Sequence, residues 1–216
     1  MAKPVLLLIS GKLQSGKNTL ADLITAEAEK RGATVAQGLF ARALKENCRD
    51  DFMLLSNFLS SERAKLLEAY PELPPETLSW MDVQEHQWWD KKTGYTRTAL
   101  QLYGTDIFRK RVSESYWVDK VREEAGASSA QLFIVTDTRY PNEVELKDVG
   151  GDREVLTLRI NRPSLTREGV EEQHTSETAL DDYASWDFLV SNEGSMRDLA
   201  NVASVITGRL LGTTQP

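Results

Sequence analysis

The chain predicts an α/β fold, a mostly parallel sheet of five strands flanked by helices, in one domain covering residues 1–216. Three observations carry that expectation. Apolar runs of strand length alternate with segments of helical periodicity, the pattern of successive βαβ units. A glycine-rich string stands between the first apolar run and the first helical segment. The length suits one sizeable core with an elaboration and falls short of two full-sized domains.

Val5-Leu6-Leu7-Leu8-Ile9 opens the sheet, because an unbroken apolar run of this length reads as a strand buried on both faces. It is much shorter than a membrane span and lacks a signal-peptide cleavage pattern, so a core strand is expected. After the glycine-rich string, Leu20, Leu23 and Ile24 recur at i, i+3 and i+4 as the buried stripe of a helix. Further strands are expected at Ala33–Leu39, Gln131–Thr136, Glu154–Ile160 and Asp187–Val190. Pro141, with Gly150-Gly151 beyond it, brackets a short helix by the proline-in, glycine-out asymmetry. In the last helix Met196, Leu199, Ala203, Ile206 and Leu210 line one face, and Ser195 with Asp198 forms a capping pair. From Ser56 to Tyr95 the alternation breaks: Pro71, Pro74, Pro75, Trp80, Trp88 and Trp89 crowd a stretch with no central strand. Residues 56–95 are therefore read as an insert over the ligand cleft. Its aromatic rings either stack on a base or simply fasten the insert to the body.

A net charge of −7 argues against binding a nucleic-acid polymer, whose phosphates need net positive surface. Any nucleotide must be held by local cations. Cys48 is the single cysteine, which excludes an intrachain disulfide and a cysteine metal cluster and fits a reducing cytoplasm. No membrane partner is expected, and a homodimer stays open.

Gly11-Lys12-Leu13-Gln14-Ser15-Gly16-Lys17-Asn18-Thr19 has the Walker A spacing. Its glycines let the backbone curl so that N–H groups meet phosphate oxygens, and its lysine reaches the outer phosphates. The strand before and helix after are the context this motif requires, and the helix dipole adds to anion binding. A nucleoside triphosphate is the first ligand to propose; a turn that holds nothing is the alternative. The usual Mg²⁺-binding hydroxyl after the lysine is replaced by Asn18, and a hydroxyl appears one place later at Thr19. Phe133-Ile134-Val135-Thr136-Asp137 resembles a Walker B strand, whose aspartate would face the phosphates and hold Mg²⁺ or its waters. Asp ends many strands merely as a cap; beside a phosphate loop, and with the fork of Arg139 two residues on, the functional reading gains.

Arg97, Gln101 and Gly104 recur at i, i+4 and i+7, next to an apolar stripe of Leu100, Tyr103 and Ile107. The glycine leaves room for a ligand, although periodicity alone favours a solvated helix face. His174-Thr175-Ser176-Glu177 follows the arginine-bearing loop Arg162–Arg167. With His86 the only other histidine, His174 has no evident companions for a metal site, and Glu177 could equally satisfy a helix dipole.

Taken together, these residues resemble the phage-type deoxynucleoside monophosphate kinases, a family of P-loop kinases. The likeness rests on Gly11–Thr19, Phe40-Ala41 with Leu44-Lys45, Arg97 to Gln101 with Gly104-Thr105-Asp106, and Trp117. It continues through Asp137, Arg139, Asn142-Glu143, His174, Ser176-Glu177, Asn192 and Gly194-Ser195. The Arg-x-x-x-Gln-x-x-Gly-Thr-Asp string followed by Trp117 is the part most particular to the group. The resemblance implies transfer of the γ-phosphoryl of ATP, with Mg²⁺, to a deoxynucleoside monophosphate, in the host cytoplasm if the gene is phage-borne. It implies that Lys17 and Gly11, Gln14, Ser15, Gly16, Asn18 and Thr19 hold the ATP phosphates, and that Asp137 acts through Mg²⁺. Arg139, with an arginine of the Arg159–Arg167 region, would stabilise the migrating group. Lys45, Arg97, Gln101, Trp117, His174 and Glu177 would fall on the acceptor side, 56–95 would be a helical acceptor-binding insert, and 161–178 a lid-like segment. A related kinase for dephospho-coenzyme A or a sugar acid is one rival. A nucleotide-dependent switch is the other, although the Asn-Lys-x-Asp string of GTPase switches is missing.

Overall fold

The computed structural model describes residues 3–42, 44, 102–148, 152–164 and 178–212. Five strands, β1 (Val5–Ser10), β2 (Val35–Gly38), β3 (Leu132–Thr138), β4 (Glu154–Asn161) and β5 (Phe188–Ser191), form one sheet in the order β2-β3-β1-β4-β5. Every pairing is parallel. Each strand begins and ends within two residues of its expected place. β1, β3 and β4 run past their apolar stretches because the ladder joins main chains and does not require apolar side chains.

The helices are α1 (Lys17–Lys30), α2 (Tyr116–Ala127), the short α3 (Pro141–Val144) continued by a 3₁₀ turn over Glu145–Asp148, and α4 (Met196–Leu210). The expected proline-started helix is thus present; Gly150-Gly151, its expected stop, lies outside the described residues. α1 closes with a Schellman arrangement, Ala33 N–H to Ala28 O at 3.0 Å and Gly32 N–H to Glu29 O at 2.9 Å. Along β1 the side chains alternate between two covered faces. Val5, Leu7 and Ile9 join Leu20, Ile24, Leu199, Ala203, Ile206 and Leu210 of α1 and α4 in one core, while Leu6 and Leu8 are buried on the opposite face. Leu23 is only partly buried against that core. Met196 departs from expectation: it is 61 % exposed, since as the first residue of α4 it lies beyond the end of the stripe that meets the sheet.

Arg153 is a buried cation, and desolvation pushes its pKa below the usual arginine value. Its guanidinium is satisfied by main-chain carbonyls, donating to Ala125 O at 2.9 Å and Ser128 O at 2.6 Å, so it ties the end of α2 to the start of β4.

By its contacts the chain divides into two compact units, Met1–Phe40 with Val118–Pro216, and Ala41–Trp117. The sheet belongs to the first. The expected insert, 56–95, falls inside the second and outside the described residues. Within the second unit, Leu102–Val112 forms a helix bonded i to i+5. The rings of Phe108, Tyr116 and Trp117 cluster with centroids 4.7 to 5.2 Å apart. Gly104 is packed and not left open for a ligand, because a Cβ there would stand 3.2 Å from both methyls of Leu44.

Candidate active site

Parallel pairing brings the C-terminal ends of three strands level. Ser10 stands opposite Thr138 of β3 and opposite Arg159 of β4, so the loop that leaves β1 emerges between these two strands. Here the chain passes to β2 on one side, and later crosses from β3 to β4 on the other. This is the switch point at which open α/β sheets bind ligands.

The loop Gly11–Gly16 wraps the start of α1. Gly16 has φ +99°, a conformation that L side chains rarely adopt, and acts as the helix N-cap with no side-chain capping bond. The cap residue therefore supplies no acceptor of its own to the helix start, and the dipole of α1 favours an anion there. Gly11 is required by close approach, since a Cβ there would fall on the carbonyl oxygen of Ile160. Gln14 is the one non-glycine residue with positive φ among the described residues, at 60°, and it sits at the loop's crest. Lys17 lays its ammonium back across the loop, donating to Gly11 O at 2.6 Å and Lys12 O at 2.7 Å. Ser15 Oγ is buried inside the curl and has no hydrogen-bond partner among the described residues. A buried hydroxyl without a partner, beside the Gly11 main chain, fits a phosphate oxygen. Asn18 is exposed and Thr19 half-buried.

Asp137 lies on β3 one residue before Thr138, beside the emerging loop. Its Oδ1 accepts the Phe40 N–H at 2.9 Å, tying the end of β2 to the end of β3. The expected aspartate at the strand end is in place, with the ladder continuing one residue further. Among the described residues no three acidic, histidine or cysteine side chains gather into a metal cage. A Mg²⁺ here would lean on one carboxylate, substrate phosphates and water, a mode that this cation accepts. Arg139 follows directly, and Glu143 positions it: this carboxylate, 1 % exposed, accepts the Arg139 N–H at 2.6 Å and the Tyr140 N–H at 3.1 Å.

On the other flank, Arg159 donates to Ser10 Oγ at 3.0 Å and to Asp181 Oδ1 at 2.9 Å, and lies over the Trp186 ring. The second oxygen of Asp181 takes Lys12 Nζ at 2.6 Å. Asp181 thus holds one cation of the loop and one of β4. Arg159 is buried in this work, Arg162 is exposed, and Arg167 lies outside the described residues. From the end of β5, Asn192 Nδ2 donates to Ser15 O at 3.0 Å.

The structure therefore gathers Gly11, Gln14, Ser15, Gly16, Lys17, Asn18, Thr19, Asp137 and Arg139 at the C-terminal end of the central strands. Trp117 belongs to the second unit, where it is a core side chain 2 % exposed whose Nε1 donates to Gly104 O at 3.0 Å. The rings of Phe108 and Tyr116 pack against it within the second unit. Lys45, Arg97, Gln101, His174 and Glu177 lie outside the described residues, as does most of 161–178. The sequence alone assigned no role to Glu143, Asn192 or Lys12, and Asp181 drew no notice at all. Glu143 stands at the third position of a proline-started helix, a signal that could have found it.

Residues 39–202 match the family described as deoxynucleotide monophosphate kinase, 164 of 216 positions. The chain belongs to the deoxynucleotide monophosphate kinase family. The matched range includes Asp137, Arg139, Glu143 and Asn192 but begins after the phosphate loop, so the loop is an independent sign of the same chemistry. A deoxynucleoside-5'-monophosphate kinase of Escherichia phage T5 is 28% identical over 85 residues, which cover 39% of this chain and 34% of that relative. The chain thus spans about a third of the relative it matches. A solved shikimate kinase from Bacteroides thetaiotaomicron superposes over 96% of this chain and 98% of its own with a TM-score of 0.37 and 13% identity, too loose a likeness to bear on the site. Among the described residues no helix is long and apolar enough to cross a membrane.

Proposed function

We propose that this member of the deoxynucleotide monophosphate kinase family transfers the γ-phosphoryl of ATP to a deoxynucleoside monophosphate, giving the diphosphate and ADP for DNA precursor supply. The observation that carries the proposal is the uncapped start of α1 inside the Gly11–Gly16 curl, with the Lys17 ammonium across it and Asp137 on the neighbouring strand. Such a transfer needs positioning and charge neutralisation more than a strong base, because the migrating group is loosely bonded at the transition state.

In this reading Lys17 exchanges its loop carbonyls for the β- and γ-phosphate oxygens. The Ser15 hydroxyl and the first N–H groups of α1 hold the same phosphates. Mg²⁺, when bound, neutralises charge between β- and γ-phosphates. Asp137 supplies the protein's carboxylate for it, directly or through water, while its other attachment to Phe40 N–H keeps the side chain from swinging. Arg139, its main chain fixed by Glu143, offers a guanidinium to the migrating phosphoryl. Lys45, Arg97, Gln101, Trp117, His174 and Glu177 are the proposed acceptor side, and all six lie within the range that matches the family.

Coupling ADP release to a spectroscopic assay, with a panel of deoxy- and ribonucleoside monophosphates, tests the proposal. ADP production that depends on a deoxynucleoside monophosphate is the expected result. Slow ATP hydrolysis indifferent to every monophosphate would overturn it.

A further inference from the structure

We infer that Asn192 is a positioning residue of the phosphate loop, fixing the Ser15–Gly16 peptide so that the Gly16 N–H serves the donor phosphates. The inference deepens the proposed function and rests on its donor-side reading. Asn192 Nδ2 donates to Ser15 O at 3.0 Å across 177 residues of sequence. Because its partner is a carbonyl, only the NH₂ end of the amide can face it. In a trans peptide the C=O and the following N–H point in opposite directions, and no described peptide is cis. Holding the Ser15 carbonyl toward Asn192 therefore turns the Gly16 N–H away from it, to the other side of the loop. A reversed peptide would present an oxygen where an anion needs a donor.

The clamp is itself held. The Asn192 N–H donates to Asn161 O at 2.8 Å, carrying the β4–β5 pairing one residue past β5. Two residues on, Gly194 packs against Asp198, whose carboxylate takes the Ser195 N–H at 2.8 Å and its hydroxyl at 2.7 Å, so the connection into α4 is fixed at both ends. Asn192 and Gly16 also share one space, since a Cβ on Gly16 would stand 2.5 Å from Asn192 Nδ2. The missing side chain at Gly16 and the amide at Asn192 are two halves of one device. The main-chain bond to Asn161 could be made by any residue other than proline, whereas the bond to Ser15 needs a side-chain donor of this length.

The test compares wild type, Asn192→Ala and the isosteric Asn192→Asp. Each is titrated calorimetrically with inorganic tripolyphosphate and with ATP, and the Gly16 amide of ¹⁵N-labelled protein is followed during the titration. Losing one oriented donor should weaken both ligands about tenfold in Asn192→Ala, with a similar rise in KM for ATP and an unchanged KM for the acceptor. Asn192→Asp, which sets an oxygen against the Ser15 carbonyl and adds a negative charge, should lose more. The Gly16 amide shift on adding tripolyphosphate should shrink in both variants, a change that general destabilisation of folded protein would not produce. If either folded variant binds tripolyphosphate within twofold of wild type with the Gly16 shift intact, Asn192 has no such role. If wild type itself binds neither tripolyphosphate nor ATP, the donor-side reading falls and this inference with it.

Discussion

Replacing Glu143 separates the positioning of Arg139 from the presence of Arg139. The carboxylate is 1 % exposed and accepts two main-chain N–H groups, from Arg139 at 2.6 Å and Tyr140 at 3.1 Å. Bonds to a charged acceptor contribute roughly 1.5–3 kcal/mol each, so losing both in Glu143→Ala should destabilise the fold by about 3–6 kcal/mol. Glu143→Gln keeps an acceptor oxygen and loses only the charge, for about 1–2 kcal/mol. In a chain of this size 1 kcal/mol moves the melting temperature by roughly 2–4 °C, which leaves the glutamine variant folded at assay temperature. A reacting group displaced by about 1 Å can lose a hundredfold in rate, and a loosened turn at 139–140 should fall part-way there. The expected result is a kcat about tenfold lower for Glu143→Gln with both KM values within a few fold, measured by coupled ADP release alongside urea unfolding. If the variant is less stable by the stated amount yet keeps wild-type kcat, Glu143 only supports the fold and Arg139 is not part of the transfer.

Lys17→Ala should lower turnover by a factor of 10² to 10³, the loss of about 3–4 kcal/mol that follows removal of one transition-state donor, with acceptor affinity within a few fold; near-native turnover would sink the phosphate-loop assignment. Asp137→Asn, which keeps an oxygen for the Phe40 N–H, should raise the Mg²⁺ needed for half-maximal rate far more than Asn18→Ala, whose side chain is exposed; the reverse ranking in a Mg²⁺ titration moves the metal contact into the loop. Asp198 has its pKa held below the usual carboxylate value, chiefly by the Ser195 hydroxyl and then by the Ser195 N–H. Folding favours its ionised form, so its stabilisation is complete above a pH of about 3.9 and disappears as pH falls through the lower folded value. Urea midpoints should therefore drop more steeply from pH 5 to pH 3 in wild type than in Asp198→Asn, and parallel curves would refute that.

What was legible in the sequence is what is local. The Gly11–Thr19 string carries its own backbone requirements, and each of the five strand-length runs can be read without reference to the others, although only β1 and β3 are buried along nearly their whole length. The Ser195–Asp198 cap spans three residues and was equally readable. The contacts that turn a loop into a site join residues far apart: Phe40 to Asp137 across 97 positions, Lys12 to Asp181 across 169, Ser15 to Asn192 across 177. They exist because the strand order puts β3 and β4 on either side of β1, with β2 and β5 beyond them, and no spacing in the chain encodes that neighbourhood. Gly104 shows the converse limit, since a small residue on a helix face reads the same whether the room is for a ligand or, as here, for Leu44.

The charge balance explains why main-chain orientation matters so much in this protein. A chain of net charge −7 offers a polyanionic nucleotide no long-range attraction, and at physiological salt charges more than about 8 Å apart are largely screened in any case. Attraction must be built within contact distance. Yet two cations nearest the loop, Lys12 and Arg159, are both joined to Asp181, at 2.6 and 2.9 Å. One carboxylate offsets one of these two charges before any substrate arrives, and the shared bonds brace this flank. In the proposed function, recognition of the donor phosphates would fall mainly on Lys17, the Ser15 hydroxyl and the N–H groups at the start of α1. An N–H group attracts an anion only along its own bond, unlike an ammonium, which attracts in all directions. A loop that relies on N–H groups must have each peptide plane fixed, and Gly16, Ile160 and Asn192 enclose this one on the side turned away from the Gly16 N–H.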